Sequence, residues 1–113
     1  MQKFFNFYSN KRIAVTGASG FIGSCLLNEL SKYSKTAYGI SRRKTKIKNL
    51  KMLKVNLNNK NDLKNTVKKF DIFFYFAADT NLYRSEKNPH HNFTSNVEPI
   101  IDLIRCAIKL KKK

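Results

Sequence analysis

Apolar residues along the chain fall into short continuous runs that alternate with stripes at helical spacing. Arg12-Ile13-Ala14-Val15-Thr16 is rich in β-branched residues and stops at Gly17, the pattern of a buried parallel strand. From Phe21 onward Ile22, Leu26, Leu27 and Leu30 recur at helical spacing, and the pattern fades across Ser31–Lys35, so a helix is predicted there. Thr36–Ile40 reads as a second strand, closed by Ser41-Arg42-Arg43-Lys44, and Met52–Val55 as a third, with a basic loop between them. Asn61 or Asp62 suits the cap of a short helix through Leu63, Val67 and Phe70. Asp71–Phe76 then forms an apolar run typical of a central strand covered on both faces, and it reads as the most buried strand of the set.

The last segment places Phe93, Val97, Ile100, Ile101, Ile104, Ile108 and Leu110 on one helical stripe and closes on Lys111-Lys112-Lys113, where cations suit a helix C-terminus. Proline is tolerated only in the first turn of a helix, so the regular helix should start or kink close to Pro99. Strands alternating with helices predict an α/β fold, a parallel sheet flanked by helices. The 113 residues suffice for a single domain spanning 1–113, with 1–10 as an N-terminal extension.

A formal net charge of +16 raises the question of a polyanionic partner. The lysines are scattered, as in Lys44, Lys46, Lys48, Lys51, Lys54, Lys60, Lys64, Lys68 and Lys69, rather than gathered on one face with interleaved aromatics. A joint excess of Lys, Asn, Ile and Phe fits a compositional origin, so no specific nucleic-acid partner is expected. Cys25 and Cys106 lack metal or redox spacing and each falls in an apolar helical pattern, which reads as two reduced core residues. The Phe4–Tyr8 stretch is too short and interrupted for a signal-peptide core, and no run approaches the roughly 20 apolar residues of a membrane span. A cytoplasmic location without membrane contact is expected.

The strongest chemical feature is Val15-Thr16-Gly17-Ala18-Ser19-Gly20-Phe21-Ile22-Gly23, with glycines at three-residue spacing between a strand and a helix. Gly17 would permit the tight turn, Gly20 would let the backbone approach a pyrophosphate, and Gly23 would allow close helix–strand packing. The helix N-terminus would then face the phosphates of a dinucleotide. A glycine-rich turn that merely permits packing is the simpler alternative. The strand before it, the helix after it and a second strand ending about 18 residues beyond Gly23 match the dinucleotide fingerprint.

Several ordered segments resemble the extended short-chain dehydrogenase/reductase family, the NAD-dependent epimerase/dehydratases, along nearly the whole chain. Thr16–Gly23 reproduces that family's TGxxGFIG, Asn56-Leu57 stands where an Asp-Leu pair commonly meets the adenine, and Tyr75-Phe76-Ala77-Ala78 resembles its HLAA segment. Pro89 through Asn96-Val97 resembles the stretch leading into its fourth helix. The resemblance implies a Rossmann-type parallel sheet holding NAD or NADP, reached by Gly17, Ser19, Gly20, Phe21, Ile22 and Gly23 at the phosphates. At the end of the second strand Ser41 replaces the acidic residue that accepts from the adenosine ribose of NAD, and Arg42 and Arg43 follow, which favours NADP over NAD. Asn56 can still accept from the adenine amine through its side-chain oxygen. Ala77 and Ala78 would let the nicotinamide-side ribose and phosphate lie near the carboxyl edge of the sheet. Asn96 matches a family asparagine associated with ordering the active-site helix and its water, and a helix-cap role accounts for it equally.

The family transfers hydride with a Ser or Thr and a Tyr-x-x-x-Lys pair that lie beyond the fourth helix. Tyr83 and Lys87 satisfy that spacing, but they precede Asn96 and sit in an expected loop, so no catalytic residue is assigned. The substrate-binding region also has no counterpart, so the chain resembles an N-terminal part ending after about four strands. It is expected to hold a cofactor without completing the chemistry alone, and a nucleotide-sugar substrate would need the missing C-terminal part. A second class of function is a non-catalytic nucleotide-binding module that pairs with another chain. The fourth strand would expose an apolar edge, which predicts a protein partner or self-association. His90-His91 lacks further ligands at metal spacing and is expected to lie in a loop, with no metal assigned.

Overall fold

In the computed structural model, residues 2–78 and 81–112 are described. The order is α1 (Gln2–Ser9), β1 (Ile13–Thr16), α2 (Phe21–Tyr33), β2 (Ala37–Ser41), β3 (Met52–Lys54), α3 (Lys60–Lys69), β4 (Ile72–Tyr75), α4 (Leu82–Lys87), α5 (Pro89–Asn96) and α6 (Glu98–Lys109). The strands form a parallel sheet in the order β3-β2-β1-β4, with helices on both faces, the parallel α/β arrangement predicted from the alternating runs and the Rossmann-type sheet that the resemblance implies. Thr16 pairs with Ile40 on one side and Tyr75 on the other, so the carboxyl ends of the three strands lie level.

Alternation along β1 distributes its side chains between two cores. Ile13 and Val15 pack with Ala18, Leu27, Leu30 and Ala37 under α2, whereas Ala14 packs with Ile40 and Phe70 on the opposite face. A further cluster of Leu63, Val67 and Leu103 joins α3 to α6. Gly39 is required by the first of these layers, since a Cβ there would meet Ala18 Cβ at 2.7 Å and Leu27 Cδ2 at 2.8 Å.

Several expectations need correction. β4 is not the most buried strand. All four residues of β1 are buried, while Phe73, Phe74 and Tyr75 of β4 are half-buried, because among the described residues β4 pairs only with β1 and stands at the sheet edge. The cap of α3 is Asn59, whose side chain accepts from the Asp62 amide, not Asn61 or Asp62. Residues 82–96 form two helices rather than a loop, and both begin at an asparagine whose side chain accepts from the third amide of the helix: Asn81 from Arg84 and Asn88 from His91. His90 and His91 therefore lie on α5. Cys25 is exposed rather than in the core, and Cys106 is half-buried.

The N-terminal extension contains a helix, α1, whose Tyr8 ring lies 6.1 Å from that of Phe74 and joins the α2 core. Pro99 sits in the first turn of α6, as the sequence predicts. The stripe before and along that helix is only partly covered: Leu103 is buried, whereas Phe93, Val97, Ile101, Ile104, Ile108 and Leu110 are exposed. Past Lys109 the chain closes on a left-handed Lys111, with Lys111 donating to Ile108 O and Lys112 to Ala107 O, the paired bonds of a Schellman turn. Lys113 lies outside the described residues. No described helix is long and apolar enough to cross a membrane.

Candidate functional site

The loops leaving β1, β2, β3 and β4 meet above the carboxyl ends of the strands and enclose a crevice of about 470 Å³. In an open α/β sheet the switch point is where successive strands are added on opposite sides. Here it lies between β1 and β4, and the glycine turn following β1 forms the floor of the crevice.

The glycines have separate structural reasons. Gly17 has φ +68°, and a Cβ there would meet the Phe76 carbonyl and the Ala77 amide at 2.7–2.8 Å, so both backbone conformation and close approach to the end of β4 exclude a side chain. At Gly23 a Cβ would stand 2.3 Å from Gly17 O; the close approach this glycine allows is to the turn that enters the helix. Gly20 differs. A Cβ there would meet only Gly17 O, at 3.3 Å, and would otherwise project into open space at the crevice. Internal packing thus accounts for Gly17 and Gly23 but does not demand Gly20.

Gly20 is also the cap residue of α2 and no side chain caps that end. The first backbone bond of the helix runs from the Ser24 amide to Gly20 O, so the amides of Phe21, Ile22 and Gly23 precede the regular ladder. Those amides and the aligned peptide dipoles make the turn an electropositive site suited to an anion.

Thr16 ties this floor to the β4 side. Its buried hydroxyl oxygen accepts from the Phe76 amide at 3.0 Å and the Ala77 amide at 3.2 Å, which holds Ala77 and Ala78 at the crevice wall. Tyr75 lines the same wall, and burial raises its phenol above the usual value, so it remains a neutral hydrogen-bonding group at physiological pH.

Of the predicted residues, Gly17, Ser19, Gly20, Ser41, Arg42, Arg43, Asn56, Leu57, Ala77 and Ala78 are brought together around the crevice. Phe21, Ile22, Gly23 and Asn96 are not part of its lining; the side chains of Phe21 and Ile22 are 84% and 63% exposed, which leaves their backbone amides as their contribution at the turn. Arg42 and Arg43 are exposed in the loop after β2. The Asn56 side-chain oxygen accepts from the Asn58 amide at 3.1 Å, forming a local turn, and a second lone pair remains on that oxygen. Ser95, Pro99 and Arg84 also line the crevice and were not anticipated. The Asn caps that shape α4 and α5 were the available signal for Arg84 and Ser95, which lie in the 81–96 segment, and Pro99 follows in the first turn of α6.

Tyr83 and Lys87 share α4, but the Lys87 ammonium lies 5.5 Å over the Tyr83 ring, a cation–π contact, and neither residue lines the crevice. Among the described residues no group of three His, Cys, Asp or Glu side chains is arranged to hold a metal.

Residues 13–113 match the model of the NAD dependent epimerase/dehydratase family. Among solved structures, an L-threonine dehydrogenase from Clostridium difficile is similar at 25% identity and a TM-score of 0.79, covering 91% of this chain and 34% of that one. A UDP-glucose 4-epimerase from Thermus thermophilus, described in complex with NAD, shares 21% identity at a TM-score of 0.76, covering 90% of this chain and 35% of its own. An epimerase from Methanothermobacter thermautotrophicus shares 24% identity at a TM-score of 0.78, covering 93% and 34%. The chain therefore spans about a third of the length of these structures.

Proposed function

The chain belongs to the NAD dependent epimerase/dehydratase family, and from that premise we propose that its crevice binds a nicotinamide dinucleotide, with the pyrophosphate on the Gly17–Gly20 turn. The observation that carries this reading is Gly20. It is the glycine at which a Cβ would make one internal contact, with Gly17 O at 3.3 Å, and would otherwise enter the open crevice, and it stands at the uncapped N-terminus of α2, where phosphate oxygens would satisfy the Phe21, Ile22 and Gly23 amides. Asn56 and Leu57 would meet the adenine, Ala77 and Ala78 the nicotinamide-side ribose, and Asn96 the adjoining active-site helix.

Ser41, Arg42 and Arg43 favour NADP over NAD. The described residues that line the adenosine side include no carboxylate to repel a 2′-phosphate, and two guanidinium groups stand beside it. The family's hydride chemistry on a nucleotide sugar would be completed by residues outside the Tyr83–Lys87 pair, because neither residue of that pair lines the crevice. The test is titration of the chain with NADPH beside a Gly20→Val variant: saturable binding lost in the variant supports the reading, and equal binding by both refutes it.

A second reading, a nucleotide-binding module that pairs with another chain, is favoured by one observation. Phe73 and Tyr75 of β4 with Ile100, Leu103, Ile104 and Ala107 of α6 line an apolar groove of about 230 Å³ beside the edge of β4 that no described strand pairs with. Exposed apolar surface of this kind promotes association.

A further inference from the structure

Resting on the dinucleotide reading above, we propose that Arg84 is a specificity-determining residue that receives the second, nicotinamide-side phosphate of the dinucleotide. The crevice is lined by Arg42 and Arg43 at one side and Arg84 at the other. The sheet order explains why the cations are separated. β2 and β4 flank β1 on opposite sides, so arginines that follow β2 and β4 stand on opposite sides of the glycine turn. A ligand centred on that turn therefore meets one cationic group toward the adenosine and another toward the nicotinamide half.

The Arg84 backbone is held in place. Its amide donates to the Asn81 side chain at 2.9 Å, the neighbouring Ser85 hydroxyl donates to Asn81 O at 3.0 Å, and Asn92 of α5 donates to that hydroxyl oxygen at 2.6 Å. These bonds fix α4 against α5, whose Ser95 lines the same wall. An arginine guanidinium is a planar donor fork suited to paired phosphate oxygens. The amides at the start of α2 serve the first phosphate, and the second lies toward β4, where Ala77 and Ala78 leave room.

AMP and ADP differ by that second phosphate alone, so calorimetric titration of both into wild-type chain, Arg84→Gln and Arg84→Lys isolates it. Arg84→Gln should lower affinity for ADP roughly tenfold with AMP unchanged, and Arg84→Lys should recover part of the loss. Arg42→Gln should leave the ADP-to-AMP ratio unmoved, because neither ligand carries a 2′-phosphate. An unchanged ratio in Arg84→Gln overturns the proposal, whether both affinities hold or both fall together. If wild-type chain binds neither nucleotide nor NADPH, the parent reading fails as well; if it binds all of them and the ratio does not move, only the role of Arg84 fails.

Discussion

At the carboxyl end of β1 the Thr16 hydroxyl oxygen accepts from the Ala77 amide at 3.2 Å. Residues 61 positions apart in sequence are thereby joined at the one place where the glycine turn and the small-residue wall must be held together. The same oxygen accepts from the Phe76 amide, so replacing Thr16 removes the acceptor of two bonds inside a buried corner. Thr16→Val keeps the shape and should cost about 1–3 kcal/mol, read as a lower urea midpoint at unchanged slope. Thr16→Ser should retain most of the stability, since the oxygen remains.

The three turn glycines should respond differently to alanine. Gly17→Ala and Gly23→Ala both force a Cβ into backbone atoms and should destabilise by at least about 1–3 kcal/mol through strain and overpacking. Gly20→Ala meets a single 3.3 Å contact and should change the melting temperature little while weakening dinucleotide binding. Thermal unfolding with and without ligand checks both halves; a Gly20→Ala variant that unfolds like Gly17→Ala contradicts the assignment.

If Arg42 and Arg43 read the 2′-phosphate, Arg42→Gln with Arg43→Gln should lower NADPH affinity roughly tenfold or more and leave NADH nearly unchanged. The ratio of the two dissociation constants, compared at one salt concentration, is the measurement. A proportional loss of both cofactors would mean that the loop matters to shape rather than to the phosphate.

Asp71 anchors the opposite end of the sheet. Arg12 donates to its carboxylate from the backbone amide and two side-chain nitrogens, and Lys112 lies 3.8 Å away; the Arg12 bonds hold the Asp71 carboxyl down at about 2. A depressed carboxylate pKa contributes stability that is present above the usual carboxylate range and disappears as pH falls toward the folded value. Wild-type stability should therefore decline from about pH 4 toward pH 2 more steeply than that of Asp71→Asn. The pair is partly exposed, so a difference on the order of 1 kcal/mol at neutral pH is expected, measured by urea unfolding across that range.

The local chemistry was more legible in the sequence than the packing around it. Thr16–Gly23 displayed its strand, turn and helix because glycine spacing and β-branched residues act locally. The apolar run ending in Phe73-Phe74-Tyr75 reads as doubly covered, yet how much of a strand is covered depends on its neighbours, and among the described residues only β1 pairs with it. α4 and α5 lack a strong apolar period; their start signals were Asn81 and Asn88, whose capping bonds become meaningful only when the third amide beyond each is considered. For the same reason Arg84 and Ser95 escaped notice as crevice residues. The aromatic segment before Ser9 is too short for a helical period to predict α1, which is held by tertiary packing of Tyr8 against Phe74.

The most direct test of the central claim is titration of the purified chain with NADPH and NADH at moderate salt, followed by nicotinamide fluorescence or calorimetric heat. Saturable binding of both, tighter for NADPH, is predicted from the Gly20 turn and the Arg42–Arg43 loop. A soluble chain whose circular dichroism shows it folded, and which binds neither cofactor, would contradict the assignment of the crevice as a dinucleotide site.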